Sequence, residues 1–206
     1  MASNASLRLA ALRFTLGLLP LVAVGRQLAI HVQAGFSVLN FFSYFTNLSN
    51  LFAALVLLAG AVWSGTARAP SARQDLLRFA SAINMAIVGL VFALLLRDVD
   101  LGALLPWVNT VVHYIMPVAV VIEWLLVPPA TRIGARQWLV CLMFPGAYLI
   151  YVLLRGAATG WYPYPFLDPA GVGGYAGVVP YAIGIAVAFF FASWVLAAPS
   201  RGLYRS

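Results

Sequence analysis

Thr46 and His113 are the residues of this chain whose type and setting best suit chemistry. Thr46 lies in a polar island, Phe41-Phe42-Ser43-Tyr44-Phe45-Thr46-Asn47-Leu48-Ser49-Asn50, at the head of a long apolar run, and His113 lies inside another apolar run. Polar and ionisable groups placed among hydrocarbon are costly, so they are read first as a functional site. A threonine hydroxyl becomes a nucleophile when an adjacent base takes its proton, and imidazole titrates near neutrality. Together the two residues could attack a carbonyl carbon.

Composition fixes the setting in which they act. Of 206 residues, 64% are hydrophobic and only 8% are charged, with a mean hydropathy of +0.97. A soluble core of this size could not hide so much apolar surface. Six stretches reach the roughly 20 apolar residues that a bilayer-crossing helix needs. They run over about Leu9–Val32, Val38–Trp63, Leu77–Leu96, Trp107–Val127, Gln137–Leu154 and Tyr175–Ala197. The expected fold is therefore all-α, a polytopic membrane bundle of six transmembrane helices in one domain over residues 1–206. Arg8 and Arg13 interrupt the first span, which reads as an uncleaved anchor.

Arginine placement gives the orientation. Arg8, Arg13, Arg68, Arg73, Arg78, Arg132, Arg136, Arg201 and Arg205 fall on one side of the spans, and only Arg26, Arg97 and Arg155 on the other. The positive-inside rule then puts both termini in the cytoplasm. The net charge of +7 is dispersed over short loops, which suits anionic lipid headgroups and argues against a nucleic-acid partner. The absence of lysine points to a GC-rich bacterial gene, hence a bacterial cytoplasmic membrane. Cys141 is the single cysteine, so neither an internal disulfide nor a cysteine-based metal site is expected. No phosphate-binding glycine loop or HExxH motif is present, and no metal or cofactor is expected.

In this topology the second and fourth spans both enter from the outer side. A helical rise of about 1.5 Å per residue puts Thr46 roughly 12 Å and His113 roughly 9 Å below that surface, close enough in depth to meet. Asn40, Ser43, Asn47 and Asn50 recur at helical spacing, with Thr46 on the flank of the stripe. Ser43, Ser49 and Asn40 read as helix-to-helix glue or as local backbone partners. Asn109 sits one turn above His113, while His31 reads as an interfacial residue. Glu123 lies about 15 Å deeper than His113 and is expected to pair with Arg132 or Arg78. The inner half is otherwise expected to be apolar. The last outer loop, from Arg155 to Gly174, carries aromatics and prolines, and Tyr162, Tyr164 and Phe166 are the candidates for a lid at headgroup level.

Three separated motifs carry a family resemblance. Tyr44-Phe45-Thr46-Asn47-Leu48, then Pro106-Trp107-Val108-Asn109 with His113 and Glu123, then Tyr164-Pro165-Phe166-Leu167-Asp168, resemble segments of the androgen-induced and androgen-dependent TFPI-regulating membrane proteins. The polar stretch after Thr46 is similar to that of their bacterial six-span branch, and Pro117 stands one position off the family pattern. The resemblance implies a threonine-dependent hydrolase of lipid esters, such as fatty acid esters of hydroxy fatty acids. It implies Thr46 as nucleophile and His113 as base. For the developing oxyanion, or for orienting the imidazole, the candidates are Asn47, Asn50, Asn84 and Asn109. No acidic third member is in reach, so the expectation is a dyad steered by Asn109 or a backbone carbonyl. Two other readings are a haem-binding electron-transfer protein with His31 and His113 as axial ligands, and a small transporter lined by the polar stripe.

Overall fold

The structure is a computed structural model and describes residues 3–66, 70–100 and 104–201. Arg68 and Arg205, two of the arginines used for orientation, lie outside the described residues. Every regular element among the described residues is helical. The chain runs α1 (Asn4–Gln33), α2 (Val38–Phe42), α3 (Phe45–Ser64), α4 (Ala72–Leu96), α5 (Pro106–Leu126), α6 (Ala135–Thr159), α7 (Tyr175–Leu196) and a short α8 (Ala198–Arg201). Six of these, α1 and α3 to α7, are long and apolar enough to cross a membrane. The protein is an integral, multi-pass membrane protein.

Local chemistry sets the ends of the helices. Ser3 caps α1 by accepting the Ser6 N–H, and Ser71 with Gln74 forms a reciprocal capping box at the start of α4. Pro106 opens α5, where its missing N–H costs nothing. Gly160 closes α6 in the left-handed region, with φ 71°, so that helix continues past Arg155 and shortens the outer loop read from the sequence.

Small residues let α1 and α3 approach closely, as helices without a hydrophobic driving force between them require. Gly17 faces Ala54 and Leu58, where an added Cβ would come within 2.8 Å of the Leu58 side chain. Buried Ala53, Leu57 and Ala61 continue that seam along α3. The centre of the bundle is α4 and α5, each about half-buried, while α6 and α7 turn most of their surface outward.

The second span differs from the expectation of one helix over Val38–Trp63. It breaks at Ser43-Tyr44, so α2 is a separate turn and α3 begins at Phe45. The break is held from α6, because the Tyr148 hydroxyl donates to the Ser43 carbonyl at 2.8 Å and Tyr151 meets the Ser43 hydroxyl at 2.8 Å. The polar stripe is thereby split. Asn40 accepts from Arg155, and Asn47 spans the break by donating to the Phe41 carbonyl. Thr46 sits on the first turn of a helix, and its position no longer follows from counting a continuous rise from Val38.

The end of the bundle that the sequence reading placed inside is not apolar. Arg13 of α1, Arg78 of α4 and Glu123 of α5 form a buried ion cluster, with Arg13 Nε 2.9 Å and Arg78 Nη2 3.1 Å from Glu123 Oε1. Arg13 Nη2 also bonds the same oxygen, and Arg13 Nη1 donates to the Ser64 hydroxyl. Glu123 does pair with Arg78; its second partner is Arg13 rather than Arg132. These residues come from the start of α1, the end of α3, the start of α4 and the end of α5. The cluster therefore marks one end of an up-and-down bundle, and Thr46 and His113 occupy the other.

Candidate active site

Thr46 and His113 are in contact. The Thr46 hydroxyl oxygen lies 3.4 Å from His113 Nε2, and both side chains are buried. A working nucleophile and base stand at about 2.6–3.2 Å, and such contacts are commonly looser before substrate is bound. On the far side of the ring, His113 Nδ1 is 2.7 Å from Asn109 Oδ1. A carbonyl oxygen only accepts, so Nδ1 carries the proton and Nε2 presents its lone pair to Thr46. That is the tautomer a general base requires.

Two π-turns build this geometry. Residues Val111–Ile115 of α5 and Phe92–Leu96 of α4 leave the α-helical register, a local widening found often at functional sites. The first turn carries His113 and the second carries Phe92, whose ring stacks on the imidazole at 4.1 Å and 17°. The ring is held by a hydrogen bond at one edge, a stacked face, and the Thr46 hydroxyl at the other edge. Sequence reasoning missed Phe92, because an aromatic inside an apolar run carries no signal of its neighbours.

The proposed oxyanion residues fare differently. Asn50 spends its amide on the Thr46 carbonyl at 2.9 Å and the Val112 carbonyl at 3.2 Å. Both donors are used, so Asn50 staples α3 to α5 instead of serving an oxyanion. Asn47 uses its amide on Phe41, as above, and borders the outer chamber. Asn84 is buried in α4 and lines neither cavity that reaches Thr46. Asn109 is the one that meets the imidazole.

The hydroxyl that does reach the nucleophile is that of Tyr164. Its oxygen accepts the Thr46 N–H at 3.3 Å, and its ring stacks on Phe166 at 5.2 Å. Burial pushes the Tyr164 phenol above its ordinary range, opposed by its hydrogen bonds to Thr46, so it remains a neutral O–H donor. Tyr164 and Phe166 are buried, so this part of the aromatic loop packs against the bundle and lines the space beside Thr46. Tyr162 is half-buried and packs against Gly156.

Two cavities converge on Thr46. An outer chamber of about 600 Å³ is bordered by Gln27, His31, Asn40, Asn47, Asp100 and His113, among others. An inner cavity of about 230 Å³ lies among α3, α4, α6 and α7. Thr46, Leu96 and Tyr164 line both and form the neck between them. His31 borders the outer chamber with Nε2 on the Ser37 carbonyl at 2.9 Å, while His113 has both ring nitrogens engaged. Each imidazole coordinates a metal through one nitrogen, so ligation through His113 Nε2 would displace the Thr46 hydroxyl while the Asn109 contact stayed. Among the described residues no group of three or more His, Cys, Asp or Glu could hold a metal ion.

No protein-family model, no curated protein and no solved structure matches this chain.

Proposed function

We propose that the protein hydrolyses lipid esters, fatty acid esters of hydroxy fatty acids or esters like them, through Thr46 as nucleophile and His113 as base. The observation that carries this reading is the chain Thr46 Oγ1, His113 Nε2, His113 Nδ1 and Asn109 Oδ1, set at the neck between two cavities. The motif resemblance to the androgen-induced family supports the same assignment. The arginine-poor end at which the site lies supports a position in the outer half of a bacterial cytoplasmic membrane.

In the first half-reaction Thr46 Oγ1 bonds to the ester carbonyl carbon while its proton passes to His113 Nε2. The carbonyl pair moves to oxygen, where the Tyr164 O–H is the neutral donor in reach. Collapse breaks the bond to the alcohol oxygen, which leaves with the proton from His113. Water then adds to the acyl-threonine, His113 takes its proton, and that proton returns to Thr46 Oγ1 as the acid departs. Ester and water become acid and alcohol with nothing left over. The transfer of charge between Thr46 and His113 occurs in a buried site, where hydrogen bonds act more strongly than in water.

The test is labelling of the purified protein with a lipid-like fluorophosphonate, followed by mass spectrometry of the adduct. Label is expected on Thr46 and is expected to vanish in both Thr46→Ala and His113→Ala, with ester turnover lost in parallel. Undiminished turnover in either folded variant would sink the dyad.

A further inference from the structure

The inner cavity is chemically unlike the outer one. None of its lining residues is charged, and its only hydroxyls belong to Thr46, Tyr148 and Tyr164. Those three stand together around the start of α3, where Tyr148 is bonded to Ser43 and Tyr164 to Thr46. Beyond them the wall is hydrocarbon, including Gly146, Leu149, Ala182, Ile185 and Phe189. A headgroup, carboxylate or free hydroxyl placed there would lose its water and find no partner. An acyl chain loses nothing.

The wall also faces lipid. The backbones of α6 and α7 stay apart, linked through side chains such as Trp138 against Phe190 and through Phe45, whose ring meets Phe144, Tyr148 and Phe189. Both helices expose most of their length. A chain lying in the bilayer can therefore reach Thr46 between α6 and α7 without its carbons crossing water. The cavity's volume of about 230 Å³ holds about eight methylene-sized groups if each takes roughly the 30 Å³ of a water molecule.

We infer that the inner cavity is the acyl-chain site: the ester carbonyl lies at Thr46, about the first eight acyl carbons fill the cavity, and the remaining tail runs out between α6 and α7. This assignment rests on the ester-hydrolase reading and adds a direction to it. The alcohol portion occupies the outer chamber, leaves through it after the first half-reaction, and is replaced there by water. The acyl group stays where it was bound throughout.

Gly146 offers a direct perturbation, because a Cβ added to it meets nothing within 4 Å. Gly146 lines the cavity, so a phenylalanine side chain there is directed at its space, whereas Gly184, equally exposed and equally free of neighbours but outside the lining, provides a control for bulk. The experiment uses the full chain in lipid nanodiscs with a decanoyl ester carrying a diazirine at its eighth carbon, alongside acetyl and octanoyl nitrophenyl esters. In the wild type the photoadduct is expected on α6 residues 142–149 and α7 residues 182–189. Gly146→Phe is expected to remove that adduct and to lower the octanoyl-to-acetyl ratio of kcat/KM by about tenfold or more, the scale of a methylene-sized change in an apolar pocket. Gly184→Phe is expected to leave the ratio where it was. If Gly146→Phe does not fold, Ala186→Leu fills the same space, and the wild-type adduct needs no variant.

Adducts on Trp161, Tyr162 or His31 with turnover intact would overturn the chain placement and leave the hydrolase standing. A wild-type ratio in folded Gly146→Phe would overturn it equally. Inner-cavity adducts removed by Gly146→Phe, in a protein that turns over neither ester, would uphold the chain site and refute the hydrolase.

Discussion

Asn109 is the residue on which the proposed chemistry can be tested without touching the nucleophile, the base or the substrate. Its Oδ1 is 2.7 Å from His113 Nδ1, and it borders neither cavity that reaches Thr46. In Asn109→Ala the Nδ1 proton loses its acceptor and the ring is free to adopt the other tautomer. The Nε2 proton would then point at the Thr46 oxygen, and the base would be switched off. The loss is greater in the transition state than at rest, because the Nδ1–H bond becomes charge-assisted once His113 has taken the second proton. Hydrogen bonds to charged groups are worth about 1.5–3 kcal/mol, which corresponds to a fall in kcat of about 10- to 100-fold. KM should hold, since no substrate contact is removed. Asn109→Asp keeps an acceptor at the same place and should lose much less. The assay is steady-state turnover of a fluorogenic ester by purified protein, with the rate of fluorophosphonate labelling as a second reading. Wild-type kcat in Asn109→Ala, or a change confined to KM, would refute the argument that Asn109 sets the tautomer.

Three further outcomes are expected. Tyr164→Phe should lower kcat by about 10²- to 10³-fold, the cost of losing one oxyanion donor, with little change in thermal stability; steady-state kinetics on folded protein would expose an error if kcat were unaltered. Glu123→Leu leaves two buried guanidinium groups without their shared carboxylate. It should destabilise by about 3 kcal/mol or more, read by thermal unfolding in detergent as a drop in Tm of about 6–12 °C, and an unmoved Tm would show that the cluster carries no stability. Finally, burial raises the phenols of Tyr44 and Tyr164 above the ordinary value of 10.0. Their neutral forms are favoured by folding, so this contribution is complete below pH 10 and is lost as pH rises above it. Ultraviolet titration should show the two phenols ionising late, with stability falling over the same range; simple exposed-tyrosine titration of both would contradict their burial.

Much of this arrangement was legible in the chain. Apolar runs near the bilayer-crossing length give the six helices, because a bilayer imposes that length whatever the sequence. Thr46, His113 and Asn109 stood out because polar groups in apolar runs need a reason. Partnerships between distant residues were the harder part. The break at Ser43-Tyr44 contains no proline or glycine and is stabilised by Tyr148 and Tyr151, more than a hundred positions away. Arg13 read as a topological charge, yet it pairs with Glu123 at a separation of 110 residues. Asn50 has the composition of an oxyanion donor, and only the neighbouring carbonyls reveal that its amide is spent. Tyr164 read as surface because loops ordinarily lie there; the aromatic loop folds inward, with Tyr164, Phe166 and Leu167 all buried.

The π-turn at Val111–Ile115 has an evolutionary consequence. Such a turn is an α-helix with one residue inserted, absorbed as a local bulge so that the flanking turns keep their contacts. Deleting a single residue there would restore the α register by swinging one flank about 100° relative to the other, taking His113 out of line with Thr46 or unseating the inner half of α5. A helix without the bulge would present a different side chain to the neck, so the imidazole's placement depends on that one extra residue. Alignments of descendants should show single-residue gaps between Asn109 and Pro117.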